Sequence, residues 1–111
     1  MTQVNRVTFG ERLAFARFLY HLEHGEPPSN AAIGEAAGRS GPAVTAWMVR
    51  EDAPPFYDVR EPLARFLGVD EKWLFEGTGE PPRPDLWRDW LAKQRHRRSS
   101  SSGAGKKRKS S

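Results

Sequence analysis

The sequence predicts an all-α domain of five helices, with a sixth helix and a disordered basic tail appended. Three observations carry this prediction. Turn formers at Pro27-Pro28, Gly38, Gly41-Pro42, Pro54-Pro55, Gly68, Gly77 to Gly79 and Pro81-Pro82 cut the chain into short pieces. Between them apolar residues recur at helical spacing, and no piece alternates strictly in the manner of a half-buried strand. Most pieces open on a side chain suited to an N-cap, and several close on glycine.

The first helix is expected from about Thr8 or Phe9 to His24. Thr8 and Glu11 have capping-box spacing, and Gly25 supplies the stop. Phe9, Leu13, Ala16 and Tyr20 form one row, and Phe15, Phe18, Leu19 and Leu22 widen the apolar face. A second helix follows Ser29 after two prolines, with Ile33, Ala36 and Ala37 inward and Gly38 ending it. A third opens at Ser40, tolerates Pro42 in its first turn and carries Val44, Trp47 and Met48. The fourth is expected over Asp58 to Leu67, with Asp58 and Glu61 as a capping box and a start that slips to Glu61 because of Pro62. The fifth is EKWLFE, capped by Asp70 and closed by Gly77. A sixth, about Asp85 to Arg97, carries Leu86, Trp87, Trp90 and Leu91 along one side.

At 111 residues the chain has room for one small domain and a tail. With no cysteine, a disulfide scaffold, a thiolate zinc site and a cysteine nucleophile are excluded together. No apolar run approaches the roughly 20 residues that span a bilayer, and MTQVNRVTFGERL lacks the plan of a secretory signal. A cytoplasmic protein is expected, with no membrane partner and no cofactor.

Charge is unevenly divided. Residues 1–80 carry 8 Lys/Arg against 12 Asp/Glu, a net of −4, while residues 81–111 carry 10 against 2, a net of +8. The final SSSSGAGKKRKSS cannot bury enough surface to offset its ordering entropy, so residues 99–111 are expected to be disordered. Such a basic segment suits a polyanion, most often nucleic acid, or serves only as a solubilising end.

The closest coupling of two elements is Gly38-Arg39-Ser40, which joins helices two and three. A helix, a short glycine-bearing turn and a second helix is the plan of a helix-turn-helix DNA reader. The stretch SNAAIGEAAGRSGPAVTAW, Ser29 to Trp47, resembles the helix-turn-helix of the lambda-repressor-like, Cro/C1-type (Xre) transcriptional regulators. Ser29, Ile33, Gly38, Ser40, Val44 and Trp47 match that pattern without a gap. LARFLGVDEKWLFEGTGEPP, Leu63 to Pro82, resembles the closing segment of the same family, and FGERL at Phe9 to Leu13 its opening. The resemblance covers about residues 8–82 and is most specific downstream.

It implies a double-stranded DNA partner, a homodimer reading two half-sites, and a phage- or prophage-type repressor that occludes a promoter. It assigns 1–82 to the DNA-binding domain, 83–98 to a dimerisation or partner-binding helix and 99–111 to the tail. By position, Ser29 and Asn30 hold phosphate, with Asn30 standing where the family commonly has Gln. Ser40 caps the recognition helix, Gly41, Pro42, Ala43, Thr45 and Ala46 face the groove, and Arg39 and Arg50 clamp the backbone. None of the groove-facing residues makes the bidentate contacts to guanine or adenine worth about 1–3 kcal/mol each. Specificity would then rest on methyl contacts and a Thr45 hydroxyl, on DNA shape and on half-site spacing. Lys106, Lys107, Arg108 and Lys109, with Arg95, Arg97 and Arg98, would supply salt-dependent, sequence-independent attraction.

Trp47 and Trp73 are core aromatics by the same resemblance. The Leu86, Trp87, Trp90, Leu91 stripe either packs back on helix one or pairs with another chain; pairing with a second copy is the expectation, and an antirepressor is the alternative partner. An enzyme is not expected. His21 and His24 lie at a helix end with no third ligand near in sequence, and helix capping accounts for Asp58 and Glu61. Gly77-Thr78-Gly79 lacks the lysine of a phosphate loop, and no self-cleaving domain is expected after residue 82. Two other readings stay open: an antitoxin- or antirepressor-like interaction module on a helix-turn-helix fold, and a low-specificity DNA binder driven by the tail.

Overall fold

Local sequence signals start and stop the helices where expected in most cases. The computed structural model describes residues 7–96. Its elements are α1 (Phe9–His24), α2 (Asn30–Ala37), α3 (Gly41–Trp47), a 3-10 turn (Tyr57–Val59), α4 (Arg60–Leu67), α5 (Glu71–Glu76) and α6 over residues 84–96. No strand occurs among the described residues, so the fold is all-α. No described helix is long and apolar enough to cross a membrane. Thr8 and Glu11 form a complete capping box on α1, and Ser29, Ser40 and Asp70 each accept a backbone N–H at the head of α2, α3 and α5.

The start of α4 differs from expectation. Its N-cap is Val59, with no side-chain hydrogen bond, and the preceding 3-10 turn leads into the helix at Arg60. Pro62 then falls in the first turn, where its missing N–H leaves no helical bond unmade. Asp58 is thereby freed from capping and pairs with Arg39 instead.

The core is built around α1. Phe9, Leu13, Phe15 and Ala16 are buried with Ile33 and Ala37 of α2, Val44 and Trp47 of α3, Leu63, Ala64 and Leu67 of α4, and Trp73 to Phe75 of α5. Leu22 turns to solvent. Two backbone N–H groups at the head of α1 are satisfied from outside the helix. Phe9 N donates to Glu51 O at 2.8 Å and Gly10 N to Arg50 O at 2.9 Å. The approach is so close that a Cβ on Gly10 would lie 2.2 Å from Met48 O.

Arg12 is a polar residue on the apolar side of α1, only 8% exposed. Its Nε donates to Leu74 O at 2.9 Å and its guanidinium lies beside Gly77, so it closes the C-terminal end of α5. Arg60 ties α4 to α5 through Glu71 at 2.9 Å and Glu76 at 2.7 Å. The Glu76 hydrogen bond, then the charges of Glu71 and Glu76, raise the Arg60 pKa above its already high ordinary value against the opposing cost of burial.

Most of the apolar stripe of α6 packs back on its own chain, one of the two arrangements expected of it. Leu86, Trp87 and Trp90 pack against the core. Phe15 meets Trp87 at 5.0 Å and Trp90 at 5.4 Å between ring centroids, and Trp73 meets Trp87 edge-on at 5.4 Å. The wide face of α1 explains this choice. It offers aromatic surface within the same chain, where burial carries no cost in translational freedom. Leu91 is half-buried and borders an outer groove with Pro81, Pro84 and Arg88. Arg95 pairs with Glu11 at 3.1 Å, so it is held against α1 and not extended toward a polyanion. Arg97, Arg98 and Lys106 to Lys109 lie outside the described residues.

Candidate nucleic-acid interface

α2, the Gly38-Arg39-Ser40 turn and α3 form one tightly coupled unit. Gly38 adopts a left-handed conformation (φ 73°), which allows Arg39 N to donate to Gly34 O at 2.7 Å. The turn crosses α2 so closely that a Cβ on Gly34 would sit 2.7 Å from both Arg39 O and Ser40 O. Ser40 restarts the helix by accepting from Ala43 N at 3.3 Å, and Pro42 occupies the first turn of α3.

Packing decides which side of α3 is free. Val44 and Trp47 are buried, and Ala43 and Met48 pack against the core. Gly41 faces α2, where a Cβ would meet Ala31 Cα at 3.5 Å. The exposed side carries Pro42, Thr45, Ala46 and, in the turn that continues α3, Val49. These stand at i, i+3, i+4 and i+7, one continuous row. Ala43 and Gly41, expected to face a groove, are turned inward by the rotation that buries Val44 and Trp47. Val49 was not among the expected site residues. It is 84% exposed, and its signal was its register with Pro42, Thr45 and Ala46.

The polar side chains around this row are engaged within the chain. Asn30 Nδ2 donates to Thr45 Oγ1 at 2.9 Å, and Thr45 Oγ1 donates to Gly41 O at 3.3 Å. Ser29 Oγ accepts from Ala32 N at 3.0 Å. Arg50 Nε donates to Asp52 O at 2.9 Å, which folds its side chain onto its own loop. Arg39 Nη2 reaches both carboxylate oxygens of Asp58, at 3.1 and 3.2 Å, and the guanidinium lies 4.8 Å above the centre of the Phe56 ring. Arg39 and Arg50, one before and one after α3 in the chain, are thus each held by partners within the chain. An exposed ion pair contributes about 0–1 kcal/mol, so a phosphate can displace Asp58 from Arg39 at small cost.

The arrangement offers a short helix with a narrow exposed row of small side chains, flanked by two arginines and by the polar head of α2. Such a helix fits a groove about 12 Å wide. Among the described residues no group of three or more His, Asp or Glu is placed to hold a metal ion. His24 Nδ1 lies 3.1 Å from Tyr20 O, and its ring stacks on that of Tyr20. Comparison with known protein families, with characterised proteins and with solved structures finds no match.

Proposed function

We propose that this chain is a double-stranded-DNA-binding transcriptional regulator of the lambda-repressor-like, Cro/C1-type kind, acting as a dimeric repressor that occludes a promoter. The observation that carries the reading is the α2–turn–α3 unit. Its inner side is fixed to the core by Val44 and Trp47, and its outer row of Pro42, Thr45, Ala46 and Val49 is free. A recognition helix needs this combination, because the rigid core fixes the approach angle while the short exposed side chains permit close contact with base edges.

The flanking groups have roles consistent with this geometry. Ser29 and Asn30 lie at the head of α2, where a backbone phosphate can approach, and Arg39 and Arg50 stand before and after α3 in the chain. Phosphate contacts set position on the duplex, and the α3 row supplies what sequence discrimination there is. The basic segment beyond residue 98 adds salt-dependent attraction, which offsets the −4 charge set by 8 Lys/Arg and 12 Asp/Glu over residues 1–80.

Selection of random duplex DNA by the full chain, at roughly physiological salt with excess competitor, tests the reading. The expected result is a two-fold symmetric site with fixed half-site spacing. Thr45→Glu places a carboxylate in the α3 row and should abolish binding to that site while helix content is unchanged. Retention of DNA with no preferred sequence would favour a binder driven by the tail.

A further inference from the structure

The exposed row of α3 contains no free hydrogen-bond donor. Pro42, Ala46 and Val49 have none in their side chains. Thr45 has one hydroxyl, whose only proton and one of whose two lone pairs are engaged within the chain. It accepts from Asn30 Nδ2 at 2.9 Å and gives its only proton to Gly41 O at 3.3 Å. With the oxygen anchored toward α2 and the helix backbone, the methyl group is what Thr45 has left to present. Asn30 Oδ1 is buried and so is not offered to a base either. The row is thus a strip of methyl and methylene groups.

In a major groove the complement of an apolar strip is the C5-methyl group of a pyrimidine, the one methyl group on the base edges there, beside hydrogen-bond donors and acceptors. A second copy of this chain is a poor occupant. Four short side chains fall far below the roughly 800 Å² per partner that a stable protein interface buries. On the DNA-binding reading above, we infer that α3 reads pyrimidine C5-methyl groups through Pro42, Thr45, Ala46 and Val49. With no donor for thymine O4, it does not favour thymine over 5-methylcytosine at the positions it contacts. The two bases share the C5-methyl and differ at position 4, as O4 acceptor or N4 donor, and this row has no donor with which to select the thymine O4. Methylation of cytosine in such a site creates a contact in place of a thymine one.

The test uses the full chain and a duplex recovered by selection. At each thymine that faces α3, the T·A pair is replaced in turn by dU·A, by 5-methyl-dC·G and by unmethylated dC·G, and affinity is read by fluorescence anisotropy. Loss of one buried methyl is expected to weaken binding about fourfold. Uracil and unmethylated cytosine should both show this loss, and 5-methylcytosine should restore binding to near the thymine level. Thr45→Ser keeps the hydroxyl network and removes the methyl, so it should erase the thymine-to-uracil difference at one position. Thr45→Val keeps the methyl and should preserve that difference even where overall affinity falls. Equal binding of thymine and uracil duplexes would overturn the inference, as would a 5-methylcytosine duplex bound no better than the unmethylated one, while DNA binding itself would stand. Failure to retain any duplex would overturn the DNA-binding reading and this inference with it.

Discussion

Gly34→Ala measures how tightly α2 and the following turn are locked together. An alanine Cβ would sit 2.7 Å from Arg39 O and Ser40 O and 2.8 Å from Ser40 C, where ordinary contact begins at 3.4 Å. Two backbone carbonyls must therefore retreat by about 0.7 Å, stretching the 2.7 Å hydrogen bond from Arg39 N to Gly34 O. Overpacking of this kind costs about 1–3 kcal/mol, and exchanging glycine for alanine within a helix returns up to about 1 kcal/mol. The net expectation is a loss of about 1–2 kcal/mol. For a domain of this size that lowers Tm by roughly 5–15 °C. Urea and thermal denaturation followed by circular dichroism read the variant. Equal stability of Gly34→Ala and the parent would refute the close crossing of turn and helix.

Other outcomes follow from particular contacts. Arg12→Met keeps the apolar stem but removes the donors to Leu74 O and Phe75 O, so unfolding in urea should show a loss of about 2–3 kcal/mol. Trp87→Ala removes the ring that touches Phe15 and Trp73. A loss of about 2–4 kcal/mol is expected, with a change in Tm that is the same at all protein concentrations, because the contact lies within one chain. Asp58→Asn releases Arg39 from its carboxylate partner and should tighten binding to unrelated duplex DNA a few-fold in anisotropy titrations, with stability changed by no more than about 1 kcal/mol. Removing residues 99–111 takes away four cations and should reduce the slope of log K against log salt by about 3–4, while the preferred sequence remains the same.

The legible parts of this fold are those whose causes lie three or four residues apart. The caps Thr8, Ser29, Ser40 and Asp70 each accept from a backbone N–H three positions on, so the start of each helix was visible in a short window. Interactions across the chain were not. Arg12 reaches Leu74, 62 positions away, and Asp58 leaves its expected cap for Arg39, 19 positions back. Neither choice has a local signature. The α6 stripe was legible as apolar but not in what it covers, since Phe15 on α1 and an outside chain are equally good partners in a sequence pattern. For the candidate interface, the helix–turn–helix arrangement of α2 and α3 is legible in local signals, but its rotation is not. Burial of Val44 and Trp47 fixes that rotation, turning Ala43 inward and bringing Val49 out.

The most direct test of the central claim is a map of backbone amide shifts, recorded on the isotopically labelled full chain as a selected DNA duplex is added. Changes concentrated at Asn30, Arg39, Ser40 to Ala46, Val49 and Arg50 are the predicted result. Changes confined to α6 around Trp87 and Leu91, or to the basic segment beyond residue 98, would contradict α3 as the face that meets DNA.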